Sequence, residues 1–117
     1  MNYIKTLLVA IFMTGAFAIS AQNTITATEA HVTITHSTTR EQLIQLRTDL
    51  KAQGFDFKYM PTFDNHRQLT GITFTLIAND GNLQGTGEHI AMANPSAYMT
   101  IHMNKTAGTF SIDKGGE

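Results

Sequence analysis

The sequence predicts a small α+β fold: a single β-α-β-β-β domain in which one helix packs on a mixed sheet of about four strands. Four segments alternate apolar and polar residues with a period of two, which is typical of half-buried strands. Between the first two of these segments, leucines recur at three- and four-residue spacing, which is typical of an amphipathic helix. The order of these patterns along the chain gives the predicted topology.

The first strand begins near His31, with Val32 and Ile34 on the face that points to the core. Thr38 is followed three residues later by Glu41, and this spacing predicts a capping box at the start of a helix. The helix then presents one apolar stripe to the core, formed by Leu43, Leu46 and Leu50.

Gly54 stands where a left-handed helix C-cap is expected, and the second strand begins directly after it at Phe55. Pro61 cannot donate a hydrogen bond to a strand ladder, so this strand either ends near Pro61 or lies at a sheet edge. Residues 64–67 are predicted to be a hairpin loop. The third strand follows, with Ile72, Phe74 and Leu76 on one face.

Residues 79–94 contain Gly81, Gly85 and Gly87 and are predicted to be a turn followed by a mobile loop. A phosphate-binding loop is not favoured there, because no lysine followed by serine or threonine ends the glycine segment. A fourth strand with a methionine-lined inner face is predicted over residues 97–103. The helical connection between the first two strands predicts that they are parallel, joined by a right-handed crossover.

Residues 1–21 have the layout of a secretory signal peptide, with one lysine, a short apolar run and small residues after it. Two cleavage sites compete, one after Ala18 and one after Ala21, and we favour the second. The apolar run is shorter than the roughly twenty residues needed to span a membrane, so no stable membrane anchor is expected after cleavage. The mature protein would comprise a flexible tail (22–30), the α+β domain (31–112) and a frayed end (113–117).

The chain has no cysteine, which excludes disulfides, thiolate metal ligands and a lipidated N-terminal cysteine. Its formal net charge is −1, so it has no basic field to attract nucleic acid. Removal of 21 residues leaves 96 of the 117, enough for one small domain. An exported protein without disulfides is more typical of a bacterial envelope than of a small animal-secreted domain, so we expect it to be secreted or periplasmic.

A resemblance extends over about half of the mature chain, from Ile34 to Leu76. The segments ITHSTTREQLIQLRTDLKAQGFDFKY and NHRQLTGITFTL resemble, in pattern, the extracytoplasmic C-terminal module of Bacteroidetes M56 or BlaR1-like peptidase sensors, and related small secreted proteins. The peptidase zinc motif H-E-x-x-H is missing, because Glu88 and His89 have the reverse order and no second histidine lies four residues further on. The resemblance therefore implies the extracytoplasmic module without catalytic residues.

One helix cannot cover both faces of the sheet, so the sequence predicts an open polar face. Its predicted threonines are Thr33, Thr35, Thr73, Thr75 and Thr100. His31 and His102 lie on the same predicted face and are the candidate metal ligands, on the condition that their strands are neighbours. His36, His66 and His89 are predicted to be surface residues.

The predicted function is a non-enzymatic exported domain that binds another protein, or a second copy of itself, through the open face or an edge strand. Its specific partner is unknown, and no cofactor is implied. The alternative is a periplasmic metal- or small-ligand-binding protein that uses His31, His102 and the glycine-rich loop. An enzyme ranks third, because the sequence does not indicate a carboxylate or histidine with a partner inside a pocket.

Overall fold

The computed structural model describes residues 23–116, and within them the fold is α+β and mostly sheet, with one α-helix and two antiparallel sheets. The predicted signal peptide and its two cleavage sites lie outside the described residues. The strands are β1 (Thr24–Ile25), β2 (Glu29–Thr35), β3 (Asp56–Phe63), β4 (Leu69–Ala78), β5 (Leu83–Ala91), β6 (Tyr98–Asn104) and β7 (Thr109–Gly115). The α-helix α1 is Arg40–Ala52, and a short 3₁₀ turn spans Asn79–Gly81.

The strand order is β1-β2-β6-β7 in one sheet and β3-β4-β5 in the other, and every pairing is antiparallel. The predicted parallel crossover is therefore wrong. After α1 the chain enters the second sheet, and β2 takes β6 as its partner instead of β3. The β-α-β-β-β order and the mixed four-stranded sheet are replaced by seven strands in two sheets.

The two sheets and α1 share one hydrophobic core. The three leucines of the helix stripe are buried, as predicted, and so are the methionines of β6, which are fully covered. The buried side chains of the strands alternate with side chains that are mostly partly exposed, so each sheet has an inner face toward the core and an outer face away from it.

The helix start lies one residue later than predicted. Thr39, not Thr38, is the N-cap, and its hydroxyl accepts from the Gln42 N–H at 3.1 Å while the Gln42 side chain accepts from the Thr39 N–H at 2.9 Å. The hydroxyl of Thr38 is engaged elsewhere, because it accepts from the N–H of Thr35 at 2.9 Å. Two overlapping T-x-x-E/Q patterns exist, and this competing bond selects the second.

The other end of the helix and the hairpin after it follow the sequence prediction. Gly54 has φ +86°, the left-handed conformation that follows a helix C-terminus. Strands β3 and β4 form the predicted antiparallel hairpin, and the loop between them is residues 64–68, one residue longer than predicted. Pro61 lies within β3, which is an edge strand, so the edge alternative is the correct one.

The predicted glycine-rich loop is a strand. Gly85 and Gly87 are buried on the inner face of β5, while Thr86 between them is exposed. The two glycines leave room for aromatic rings: a β-carbon on Gly85 would collide with Phe110 of β7, and one on Gly87 with Phe74 of β4. Here the glycines mark close approach of neighbouring side chains and not flexibility.

Both predicted loose ends contain strand. In the predicted tail, β1 pairs with β2, and Ala30 is fully buried where β2 pairs with β6. At the other end, Asp113 to Gly115 complete β7 against β6, so the predicted fraying is wrong for these residues. Within residues 23–116, the helix is too short and too polar to cross a membrane.

Candidate functional site

The outer face of the four-stranded sheet is the surface on which most of the predicted site residues meet. Register places them in rows that cross β2, β6 and β7. The rows are Glu29, Asn104 and Thr109; His31, His102 and Ser111; Thr33, Thr100 and Asp113; and Thr35, Tyr98 and Gly115. We call these residues the outer face throughout.

The condition for a histidine pair is satisfied, because β2 and β6 are neighbours and His31 stands directly opposite His102. The ring centroids are 5.5 Å apart, with an edge-on angle of 63° between the ring planes. His102 is partly buried, whereas His31 is exposed. The two imidazoles therefore form one cluster that solvent can reach.

Glu29 extends this cluster on the diagonal of the strand ladder. Its Oε2 accepts from His102 Nε2 at 2.9 Å and from Asn104 Nδ2 at 3.2 Å. The hydrogen bond from His102 is the main reason that the pKa of Glu29 lies below its ordinary value, with Asn104 adding to the effect and partial desolvation opposing it. The carboxylate is thus ionised at neutral pH and holds the His102 ring in one orientation.

The five predicted face threonines are divided between two sheets. Thr33 and Thr100 are cross-strand neighbours with their hydroxyl oxygens 3.4 Å apart, and Thr35 lies next to them on β2. Thr73 and Thr75 belong to β4 in the other sheet, where Thr73 accepts from the His89 N–H and Thr75 contacts Thr86. The predicted single face is wrong, because it assumed one sheet.

Tyr98 is a member of the outer face that the sequence analysis did not single out. Its ring occupies the space in which a β-carbon of Gly115 would lie, yet 40% of the residue remains exposed. The neighbouring strand thus supports one side of the ring, and the other side faces solvent. A tyrosine paired across strands with a glycine is the signal that could have identified it.

On the side of β2 that faces β1, the part of β2 beyond the short β1 is covered by side chains. The Thr33 N–H donates to Asn23 Oδ1 at 2.9 Å, and the Thr35 N–H donates to the Thr38 hydroxyl at 2.9 Å. An incoming strand would find these amide donors already engaged, so strand addition at this edge is disfavoured.

The remaining histidines lie away from the outer face. His66 and His89 are exposed, as predicted. His36 is half-buried, so its predicted surface position is wrong: its Nδ1 lies 2.9 Å from the Leu69 carbonyl oxygen and 2.7 Å from that of Met92. Since carbonyl oxygens only accept, His36 Nδ1 carries a proton and links the end of β2 to the first residue of β4 and to the residue that follows β5.

A metal site that includes the glycine-rich segment is not formed, because that segment is β5 of the other sheet. Among residues 23–116, no group of three or more histidine, cysteine, aspartate or glutamate side chains is arranged to hold a metal ion. The outer face thus contains two imidazoles, a carboxylate that orients one of them, and a tyrosine supported by the neighbouring strand.

No protein-family model matches the chain, and no curated protein or solved structure is significantly similar to it.

Proposed function

We propose that this protein acts after export as a non-enzymatic domain that binds another protein chain through its outer face. The observation that carries the proposal is the position of Tyr98. Its ring packs against Gly115 of the neighbouring strand, and 40% of the residue remains exposed. An exposed aromatic ring that is already held in place loses little conformational entropy when it is covered, and such residues dominate binding energy at many interfaces.

The surroundings of Tyr98 support this role. Thr35 lies opposite it on β2, and the paired hydroxyls of Thr33 and Thr100 form the next row. Hydroxyl groups can donate or accept, so they suit a partner that is recognised by short-range hydrogen bonds. With a net charge of −1 for the chain, long-range electrostatic attraction contributes little to the encounter.

The face is a better candidate than the edge of β2. Asn23 and Thr38 engage the amide donors that a partner strand would need. Binding by strand addition would first have to break these bonds, whereas binding on the outer face leaves them intact. At β2 we therefore favour contact between side chains over an added strand.

The test is site-specific photo-crosslinking in cells that express the protein. A photoreactive amino acid replaces Ser111, which is exposed on the outer face, or Thr86, which is exposed on the outer face of the other sheet. We expect a defined adduct from position 111 and none from position 86. The mass of the adduct distinguishes a second copy of this chain from a different protein.

A substitution of Tyr98 tests whether this side chain is required for partner binding. Tyr98→Ser should abolish the adduct at position 111, because it removes the supported ring. Met60→Ser is the matched control, since Met60 is 72% exposed on the other sheet and should leave the adduct unchanged. Equal adducts from positions 111 and 86, or none from position 111, would contradict the proposal.

A further inference from the structure

The spacing of His31 and His102 matches that of two imidazoles bound to one metal ion. A zinc–nitrogen bond of about 2.0 Å places the metal roughly 3.2 Å from each ring centroid, so two ligands at a tetrahedral angle have centroids about 5.2 Å apart. The observed separation is 5.5 Å. The separation of the two rings is therefore compatible with a shared ion, once rotation of the side chains directs one nitrogen of each ring to the same point.

Glu29 holds the ring of His102 in place by a hydrogen bond. An ionised carboxylate can only accept, so the hydrogen shared with Glu29 Oε2 belongs to His102 Nε2. In the neutral imidazole the lone pair is then on Nδ1, the nitrogen left for a metal. A carboxylate that accepts from the far nitrogen of a histidine is the usual arrangement behind a metal-bound imidazole, where it fixes the tautomer and raises the basicity of the ligand.

We infer that His31 and His102 together bind one divalent transition-metal ion of the nickel, copper and zinc group, with Glu29 as a positioning residue. Imidazole nitrogen is a preferred ligand of these ions. Since no third histidine, cysteine, aspartate or glutamate in residues 23–116 completes the site, water would fill the remaining coordination positions. The inference is independent of the proposed protein-binding role, because it rests on the histidines and not on Tyr98.

The experiment is calorimetric titration of the protein with zinc chloride near pH 7.5, without a histidine tag. We expect one equivalent of zinc to bind. His31→Ala and His102→Ala should each weaken binding at least tenfold, and Glu29→Gln about tenfold, the lower end of the loss typical for an orienting partner. His66→Ala and His89→Ala are the matched controls, because both side chains are exposed elsewhere, and should change the dissociation constant less than twofold.

Thermal unfolding separates loss of the ligand from loss of the fold. Zinc should raise the melting temperature of the wild type and of both controls, but not that of His31→Ala, whose exposed position makes misfolding of the variant an inadequate explanation. The inference is overturned by an absence of heat up to about 1 mM zinc, the scale of very weak binding. It is equally overturned if binding survives in His31→Ala or is lost in His89→Ala.

Discussion

The ring of Phe110 lies directly over the α-carbon of Gly85, so that a β-carbon at residue 85 would enter the ring. This contact joins β7 of one sheet to β5 of the other. Phe74 occupies the corresponding space over Gly87, and the two phenylalanine rings are 6.4 Å apart, close enough for a favourable tilted aromatic contact. The two sheets are thus held together where aromatic rings replace the missing side chains of β5.

Gly85→Ala should therefore lower the free energy of unfolding by about 1–3 kcal/mol, the usual cost of forcing a methyl group into a packed core. Urea denaturation measures the change, and Thr86→Ala, exposed on the same strand, should cost less than about 0.5 kcal/mol. Combining Gly85→Ala with Phe110→Ala should cost less than the sum of the single changes, because truncation of the ring removes the clash. A fully additive pair would show that the contact is not the cause.

His36→Ala should lower the free energy of unfolding by about 1–3 kcal/mol, because it removes the one N–H shared by the Leu69 and Met92 carbonyl oxygens. His36→Asn should lose less, since its amide can replace part of that donor. His66→Ala, in the exposed hairpin loop, is the control and should be nearly neutral. Equal losses for His36→Ala and His66→Ala in urea denaturation would refute the structural role of His36.

Thr39→Ala should destabilise the protein by about 1 kcal/mol, because it leaves the Gln42 N–H at the helix start without its acceptor. Thr39→Ser keeps the hydroxyl and should retain most of the stability. Thermal or urea unfolding of the two variants provides the comparison. If serine is as harmful as alanine, the capping bond is not what residue 39 contributes.

Glu29→Gln should change how stability depends on pH. The folded-state pKa of Glu29 lies below the ordinary value of 4.5, chiefly because His102 donates to the carboxylate. A depressed pKa means that ionised Glu29 stabilises the fold above about pH 4.5, and that this contribution is lost as pH falls through the folded-state pKa. The difference in unfolding free energy between wild type and Glu29→Gln should therefore shrink as pH falls.

Urea titrations between about pH 2.5 and pH 7 cover the range in which carboxylates gain protons. Glu88→Gln, exposed on β5, is the control for a change of net charge alone. A difference between wild type and Glu29→Gln that stays constant over this range would contradict the assignment.

Local sequence patterns are sufficient to predict the elements that carry a regular spacing of apolar residues. The leucine stripe identified α1, and the alternation of apolar residues identified β2, β4 and β6. The pattern failed at β5, where alternate inward positions are glycines. The ring that fills the space over Gly85 comes from Phe110, 25 positions later, so nothing within β5 itself distinguishes it from a loop.

The pairing of the strands cannot be predicted from these local apolar patterns. A period of two says which side chains share a face, but it does not say which strand is the neighbour. The prediction that His31 and His102 share one polar face is correct, whereas Thr73 and Thr75 belong to a second sheet that no local pattern indicates. The sequence prediction lacks β7, although Phe110 and Ile112 alternate with Ser111 and Asp113 in the pattern of a strand.

The pairing of β2 with β6 also bears on the order in which the protein can assemble. Strands β3, β4 and β5 follow one another in the chain, and each pairs with the next. The loops between them are short, so closing them costs little conformational entropy. The hydroxyls of Thr33 and Thr100, by contrast, meet across 67 positions of sequence. During synthesis or export the N-terminal residues emerge first, so the three-stranded sheet can form before β6 is available, while most of β2 has no strand partner until residues 98–104 have emerged.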